Sequence, residues 1–372
     1  MPDATTQTDG VPAARVNKKV IIGIVAAVVV VAIALIVFFM TRTPGNVAAK
    51  VGDSYITEDE VTEKIATYRT NYSLTDDSDF AEFLNYYGQT VSQFRESAIN
   101  ELATQMLVEK RAEELGITVS DDEVEAYYDN IKGDNDTSEG STWATVLEEA
   151  GLTEDSLKER YRYNIMQNKV LAEDVAERDA TDDELLTYTQ DYLAGSTQVH
   201  IAHIVISGDD ADSRSTECYE KVAAARDAGT LSSTTFAELA KQYSDEEDVE
   251  TTGGSVGWSG CGLISDEVLD ALDEMESEDI AANTLLGRYE ASDGSYEIAY
   301  LDDVFTFPAS SEITSVSDLG MPDDLLEVIK NAAKSEAYSD DCSAYLTKML
   351  EDANITYYPM PSDVPYNVSL AQ

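Results

Sequence analysis

The sequence predicts an α+β protein. A single N-terminal transmembrane helix is followed by a helical lobe, and that lobe is split by an inserted domain with a small antiparallel sheet covered by helices. Three observations carry this reading. Val20 to Met40 is a run of twenty-one residues without a charge. Ser/Thr-x-x-Glu boxes at Thr57, Ser120 and Thr181 each open a helix-like pattern, because hydroxyl and carboxylate there satisfy orphan backbone donors reciprocally. Near Thr197 the pattern turns β-branched, and a long helical pattern returns only after Asp318.

Composition narrows the function classes. The 372 residues hold 73 Asp+Glu against 24 Lys+Arg, a net charge of −49, which excludes nucleic-acid binding through phosphate neutralisation. It also argues against docking on an anionic lipid surface. Solubility and a salty or cation-rich surrounding account for such acidity equally well. Hydrophobic residues make up 43% of the chain, enough to build cores and to exclude wholesale disorder.

The few basic residues are placed unevenly. Arg15, Lys18 and Lys19 precede the apolar run and only Arg42 follows closely, so residues 1–19 read as a cytoplasmic tail and 20–40 as the span. The run exceeds the ~7–15 residues of a signal-peptide core, and the nearest small-residue stretch, Val47-Ala48-Ala49, comes late. The expected location is the cell membrane, single-pass, with the acidic bulk outside. Cys218, Cys261 and Cys342 make neither C-x-x-C nor a zinc pattern; an oxidising compartment would allow one pair, with every pairing open.

Beyond the Pro44-Gly45 linker, Val47 to Val51 reads as a short strand, Gly52-Asp53 as a turn and Thr57 as a helix start. A long helix is predicted over 91–115, with Phe94, Leu102, Met106 and Ala112 facing inward and Gly116 as its C-cap. Another is predicted over 156–175. Polar stretches at 73–79 and 132–141 read as loops. Then QVHIAHIVIS is a strand, 207–216 a loop, 217–228 and FAELAKQYS helices, and GGSVGW the start of a loop segment reaching about Ser265. A short helix at 266–272, a closing strand SYEIAYLDDVF and a helix over 323–350 complete the pattern.

In this order, QVHIAHIVIS, FAELAKQYSDEEDVETTGGSVGW and DGSYEIAYLDD resemble a parvulin-type peptidyl-prolyl isomerase domain. That family opens with A-x-H-I-L-V, continues with F-x-x-L-A-x-x-Y-S and G-G-D-L-G-W, and closes with G-Y-H-I-I. VAAKVGDSYITEDEV and the C-terminal helix with ANITYYP resemble the chaperone lobe of SurA/PrsA-type extracytoplasmic foldases. The resemblance implies a lobe in two parts, 41–190 and 318–372, around a parvulin-like domain at 197–305. It implies cis/trans isomerisation of X-Pro bonds without metal or cofactor. The partners would be unfolded or newly translocated client proteins and proline-containing peptides.

It also implies a site. His203 matches the family's first active-site histidine, with a structural core histidine as its plain alternative. Glu246 falls where the family places a Cys or Asp beside the twisting carbonyl, although an extra residue before Gly253-Gly254 leaves Asp245 and Glu247 open. Glu297 stands where the family has a second histidine. His203, Glu246 and Glu297 are the catalytic candidates; Ile264, Val268, Trp258 and Gly257 are the substrate-binding candidates. Ile264 and Val268 replace the Met and Phe of the family's proline pocket, leaving it apolar without an aromatic wall. His200 and His203 are not expected to share a metal, since positions i and i+3 on a strand point to opposite faces. A non-enzymatic holdase with a degenerate parvulin domain, or a cell-surface scaffold, remains the alternative.

Overall fold

The structure is a computed structural model that describes residues 46–135, 142–258, 266–275, 280–291 and 293–370. The membrane-spanning helix expected at 20–40 lies outside them; among the described residues no helix is long and apolar enough to cross a membrane. The chain divides into two compact units. One comprises the described residues through Val175 together with Cys342–Gln372, and the other is Ala176–Asp341. The helix-rich α+β class with small antiparallel sheets agrees with the sequence reading.

The first unit begins with β1 (Val47–Val51) and β2 (Ser54–Thr57), antiparallel about Gly52 at φ 56°. The second of these strands is not apparent from the sequence. Helices α1 (Glu58–Asn71), α2 (Asp77–Tyr86), α3 (Val91–Leu115), α4 (Asp121–Asn135), α5 (Trp143–Glu149) and α6 (Glu154–Asp174) follow. The boxes at Thr57 and Ser120 form as expected: the Thr57 N–H donates to Glu60 at 2.6 Å and the Ser120 N–H to Glu123 at 2.9 Å. Thr90 with Gln93 and Thr153 with Ser156 cap in the same reciprocal way, outside the Ser/Thr-x-x-Glu pattern. Gly116 ends α3 in the left-handed region at φ 69°.

The inner face of α3 differs from the predicted one. Val91, Arg95, Ala98, Ile99, Ala103, Val108 and Ala112 are buried, whereas Phe94, Leu102 and Met106 pack at the core margin. The reason is Arg95, whose guanidinium reaches the core by pairing with Glu58, so an apolar count misplaces the stripe. Both predicted loops are shorter than expected, because α2 starts at Asp77 and α4 runs to Asn135. At the far end, β7 (Thr356–Tyr357) pairs with β1, giving the order β2-β1-β7, and the Tyr366 hydroxyl donates to Glu58. The C-terminal chain thus completes a sheet and a core begun at the N-terminus.

The second unit holds α7 (Asp182–Tyr188), β3 (Thr197–Ile206), α8 (Ala211–Asp227), α9 (Ser233–Tyr243), α10 (Val249–Thr252), β4 (Ser255–Trp258), α11 (Asp266–Asp273), β5 (Thr284–Glu290) and β6 (Tyr296–Thr306). The long C-terminal helix is α12 (Asp323–Asp352). The sheet is antiparallel in the order β4-β3-β6-β5. On one face, Ile204, Ile206, Cys218, Val222, Phe236, Ile298 and Tyr300 form a core under α8 and α9.

Two sequence expectations need correction here. The loop expected at 207–216 is helix from Ala211 onward. Ser213, Ser215 and Thr216 turn their hydroxyls back onto the carbonyls of Asp210 and Asp212, and buried Ala211 and Ser215 face the core. The loop expected from GGSVGW onward begins with the strand β4, an edge too short to show alternation. Strand β5 also passes unread in the sequence, since its register shifts between Leu285 and Gly287. Leu185, Leu186, Leu325 and Ile329 pack with Trp258 and Phe307, which places 176–190 and 318–341 in this unit.

Candidate active site

Register alone brings two of the three catalytic candidates together. His203 lies opposite Ala299 and Glu297 lies opposite Val205, so His203 and Glu297 are diagonal neighbours on one face of the β3–β6 pair. Both are buried, and His203 Nδ1 sits 2.6 Å from Glu297 Oε1. The third comes from the turn after α9. Strand β4 ends its pairing at Ala202, and beyond it the turn takes over the free edge of β3. The Asp245 N–H donates to the Val205 carbonyl at 2.8 Å, and the Val205 N–H donates to Ser244 Oγ at 3.1 Å. That anchor puts Glu246 Oε1 3.0 Å from His203 Nε2, and Ser244 Oγ donates to Glu246 Oε2 at 3.2 Å. Of the three acids left open by the extra residue, Glu246 is the one that reaches the imidazole. Asp245 is paired with Arg214 instead.

Each ring nitrogen therefore faces a carboxylate. Burial disfavours the imidazolium, but the hydrogen bonds and charges of Glu246 and Glu297 outweigh it and lift His203 to about 9. The hydrogen bond from His203 holds Glu246 below its usual range against its own desolvation. The raised pKa keeps the imidazole protonated at neutral pH, held between the carboxyl groups of Glu246 and Glu297. Ser244, which aligns Glu246, is the residue the candidate set lacks; its signal is the serine of the Y-S motif.

Gly254 explains the GG turn. It sits at φ 78°, accepts the His203 N–H at 2.8 Å, and a Cβ there would lie 2.3 Å from the His203 carbonyl oxygen. Gly257, at φ 104°, stands opposite Ile201 in β4. Trp258 is not part of the His203 cluster: it is buried with Phe307, Ile313, Leu325 and Ile329. Val268 is fully buried on α11, and Ile264 and Cys261 lie outside the described residues. Cys218 and Cys342 are buried free thiols. His200 goes elsewhere, with Nδ1 3.3 Å from Asp302 and its ring edge-on to Trp258.

A histidine strand, a Y-S turn and a G-G edge strand on a four-stranded antiparallel sheet define a parvulin-type domain. Residues 203–303 match the PPIC-type PPIASE domain family and residues 13–171 match the SurA-like N-terminal domain family. Together the two matches support a parvulin-type peptidyl-prolyl isomerase domain within a SurA/PrsA-like chaperone. The chain is similar to the foldase protein PrsA of Streptococcus gordonii, 28% identical over 273 residues that cover 72% of this chain and 79% of that one. It is also similar to a Geobacillus foldase protein PrsA, 24% identical over 186 residues, 50% of this chain and 57% of that one. A solved peptidylprolyl isomerase PrsA from Bacillus anthracis aligns at 20% identity with a TM-score of 0.25, covering 70% of this chain and 99% of that one.

Proposed function

We propose that this chain is an extracytoplasmic foldase that isomerises X-Pro bonds in secreted or cell-envelope proteins. In this reading it is tethered by residues 20–40 with its N-terminus in the cytoplasm, and the first unit holds the client. The observation that carries the reading is the buried His203 held between Glu246 and Glu297 on a parvulin sheet.

Isomerisation is limited by loss of amide resonance, a barrier of ~18–20 kcal/mol. Without a catalyst the step takes roughly 10–100 s at 25 °C. Resonance places partial negative charge on the carbonyl oxygen, and twisting withdraws it. One imidazolium between two carboxylates carries a net negative charge. Set beside the carbonyl, it raises the planar amide more than the twisted one. A differential of ~4 kcal/mol is about 10³-fold in rate. His203 fixes both carboxylates, and Ile264 and Val268 are the proposed apolar seat for the proline ring.

The test is prolyl isomerase activity of residues 43–372 on X-Pro peptides of varied X. A measurable acceleration is expected, and a rate equal to the uncatalysed one sinks the enzymatic reading. The holdase alternative draws on Glu297 standing in place of a histidine; it would show as suppressed client aggregation with no turnover. For the anchor, protease added to intact cells should degrade the chain beyond residue 42, and full protection would overturn that topology.

A further inference from the structure

Glu246 is carried on a segment, residues 244–248, that belongs to no helix or strand. Its carboxylate nonetheless stands 3.0 Å from His203 Nε2, so the segment is fixed from outside. Strand β4 does not fix it, since its pairing with β3 ends at Ala202. The start of α8 does. The buried stripe of Ala211, Ser215, Cys218 and Val222 seats that helix on the sheet, and Arg214 lies beside the stripe with its side chain reaching the segment.

The guanidinium grips both neighbours of Ser244. Nη1 and Nη2 donate to the two oxygens of Asp245 at 3.0 and 2.9 Å, and Nη2 also donates to the Tyr243 carbonyl at 3.0 Å. Asp245 is tied to β3 as well: its carboxylate accepts the Ser207 N–H at 2.9 Å, and its own N–H donates to Val205. A planar fork can hold a carboxylate and a carbonyl together, whereas a point charge cannot. Arg214 and Asp245 leave 32% and 34% of their side chains exposed, so their bare attraction counts for little and the geometry counts for more. Charge still matters locally. Asp245, Glu246, Glu247 and Asp248 follow one another, with Asp210 3.8 Å from Arg214 on the facing loop. Arg214 holds the Asp245 carboxyl below its usual range, and Glu246 is left as the acid of this run that meets the imidazole.

We propose that Arg214 is a positioning residue of the isomerase site, its fork clamping Tyr243 and Asp245 so that Glu246 is set against His203. The assignment rests on the isomerase reading, which gives the placement of Glu246 its use beside the substrate carbonyl. Arg214 hydrogen-bonds to neither His203 nor Glu246 among the described residues, so its effect travels through the segment it clamps.

The chain holds two histidines, so NMR of the full chain in an uncharged detergent, with histidine isotopically labelled, follows both imidazoles; His200→Gln assigns them. In Arg214→Ala the His203 titration should move down by about one unit, because Glu246 leaves the ring while Glu297 stays. Arg214→Lys should move it nearly as far, since it keeps the charge and loses the fork. Arg288→Ala breaks a different ion pair of α8, with Asp212, and should leave His203 unchanged. On X-Pro peptides, Arg214→Ala should lower kcat about tenfold with KM within about twofold of wild type. A wild-type His203 titration in Arg214→Ala overturns the proposal, and in Arg214→Lys it overturns the fork in favour of bare charge. An equal shift in Arg288→Ala also overturns it, as a sign of general loosening. If Arg214→Ala and Arg214→Lys move His203 in a chain whose wild type shows no turnover, the clamp stands and the isomerase reading falls.

Discussion

Arg95→Met should destabilise the protein by about 3–5 kcal/mol, the usual effect of stranding one partner of a buried ion pair. Arg95 and Glu58 each expose only 5% of their side chains and meet through two hydrogen bonds of 3.0 and 2.6 Å. A third donor of Arg95 reaches the Tyr358 carbonyl at 3.2 Å, and the Tyr366 hydroxyl, held protonated by burial and by Glu58, donates to the same carboxylate. Removing the guanidinium leaves Glu58 buried with a single neutral donor. The double variant Glu58→Leu with Arg95→Met removes both charges and should recover most of the loss, because a buried pair and an apolar replacement of similar volume are nearly equivalent. Urea unfolding of the three proteins measures this. If the double variant is no more stable than Arg95→Met, the loss belongs to packing and not to a stranded charge. Truncation before Thr356 should be about as damaging as Arg95→Met, since it removes Tyr366 and the β7 edge together.

What the sequence made legible follows the range of the forces involved. Caps and C-terminal glycines are local, and Thr57, Ser120, Thr181 and Gly116 read correctly because their partners lie within a few residues. The core face of α3 did not, because burying Arg95 depends on Glu58, 37 residues away. The short strands β2 and β7 have no period to detect, and their pairing with β1 is decided by closure of the whole unit. At the site, family motifs supplied His203, Glu246 and Glu297 as names. Only the β3–β6 register shows that Glu297 stands diagonally beside His203, as a buried partner and not a solvated acid. Trp258 shows the converse: a motif residue whose burial against Phe307 and Ile313 is a matter of packing.

His203→Ala should produce the largest change at the candidate site, in stability and in pH dependence together. It leaves Glu297, 3% exposed, without the imidazolium that balances it, and the expected loss is again about 3–5 kcal/mol. The pH profile separates this from simple loss of volume. His203 is raised to about 9 in the folded protein, from about 6.5 when unfolded. Its contribution is therefore complete below pH ~6.5 and is lost as pH rises through ~9, because the unfolded state gives up its proton first. About 2.5 pKa units correspond to ~3 kcal/mol across that window. Glu246 is depressed, so its contribution is present above pH ~4.5 and is lost on acidification. Stability of the wild-type domain should thus be greatest between about pH 5 and 6.5 and fall steadily on the alkaline side. Cys218, pushed up to about 12 by burial, stays a thiol throughout. In His203→Ala the alkaline slope should flatten. Adding Glu297→Ala should restore part of the stability but none of the isomerase rate, because the imidazole that fixes Glu246 beside the carbonyl is gone. An alkaline slope that persists undiminished in His203→Ala would show that His203 is not the titrating group. A double variant as active as wild type would remove His203 and Glu297 from the mechanism.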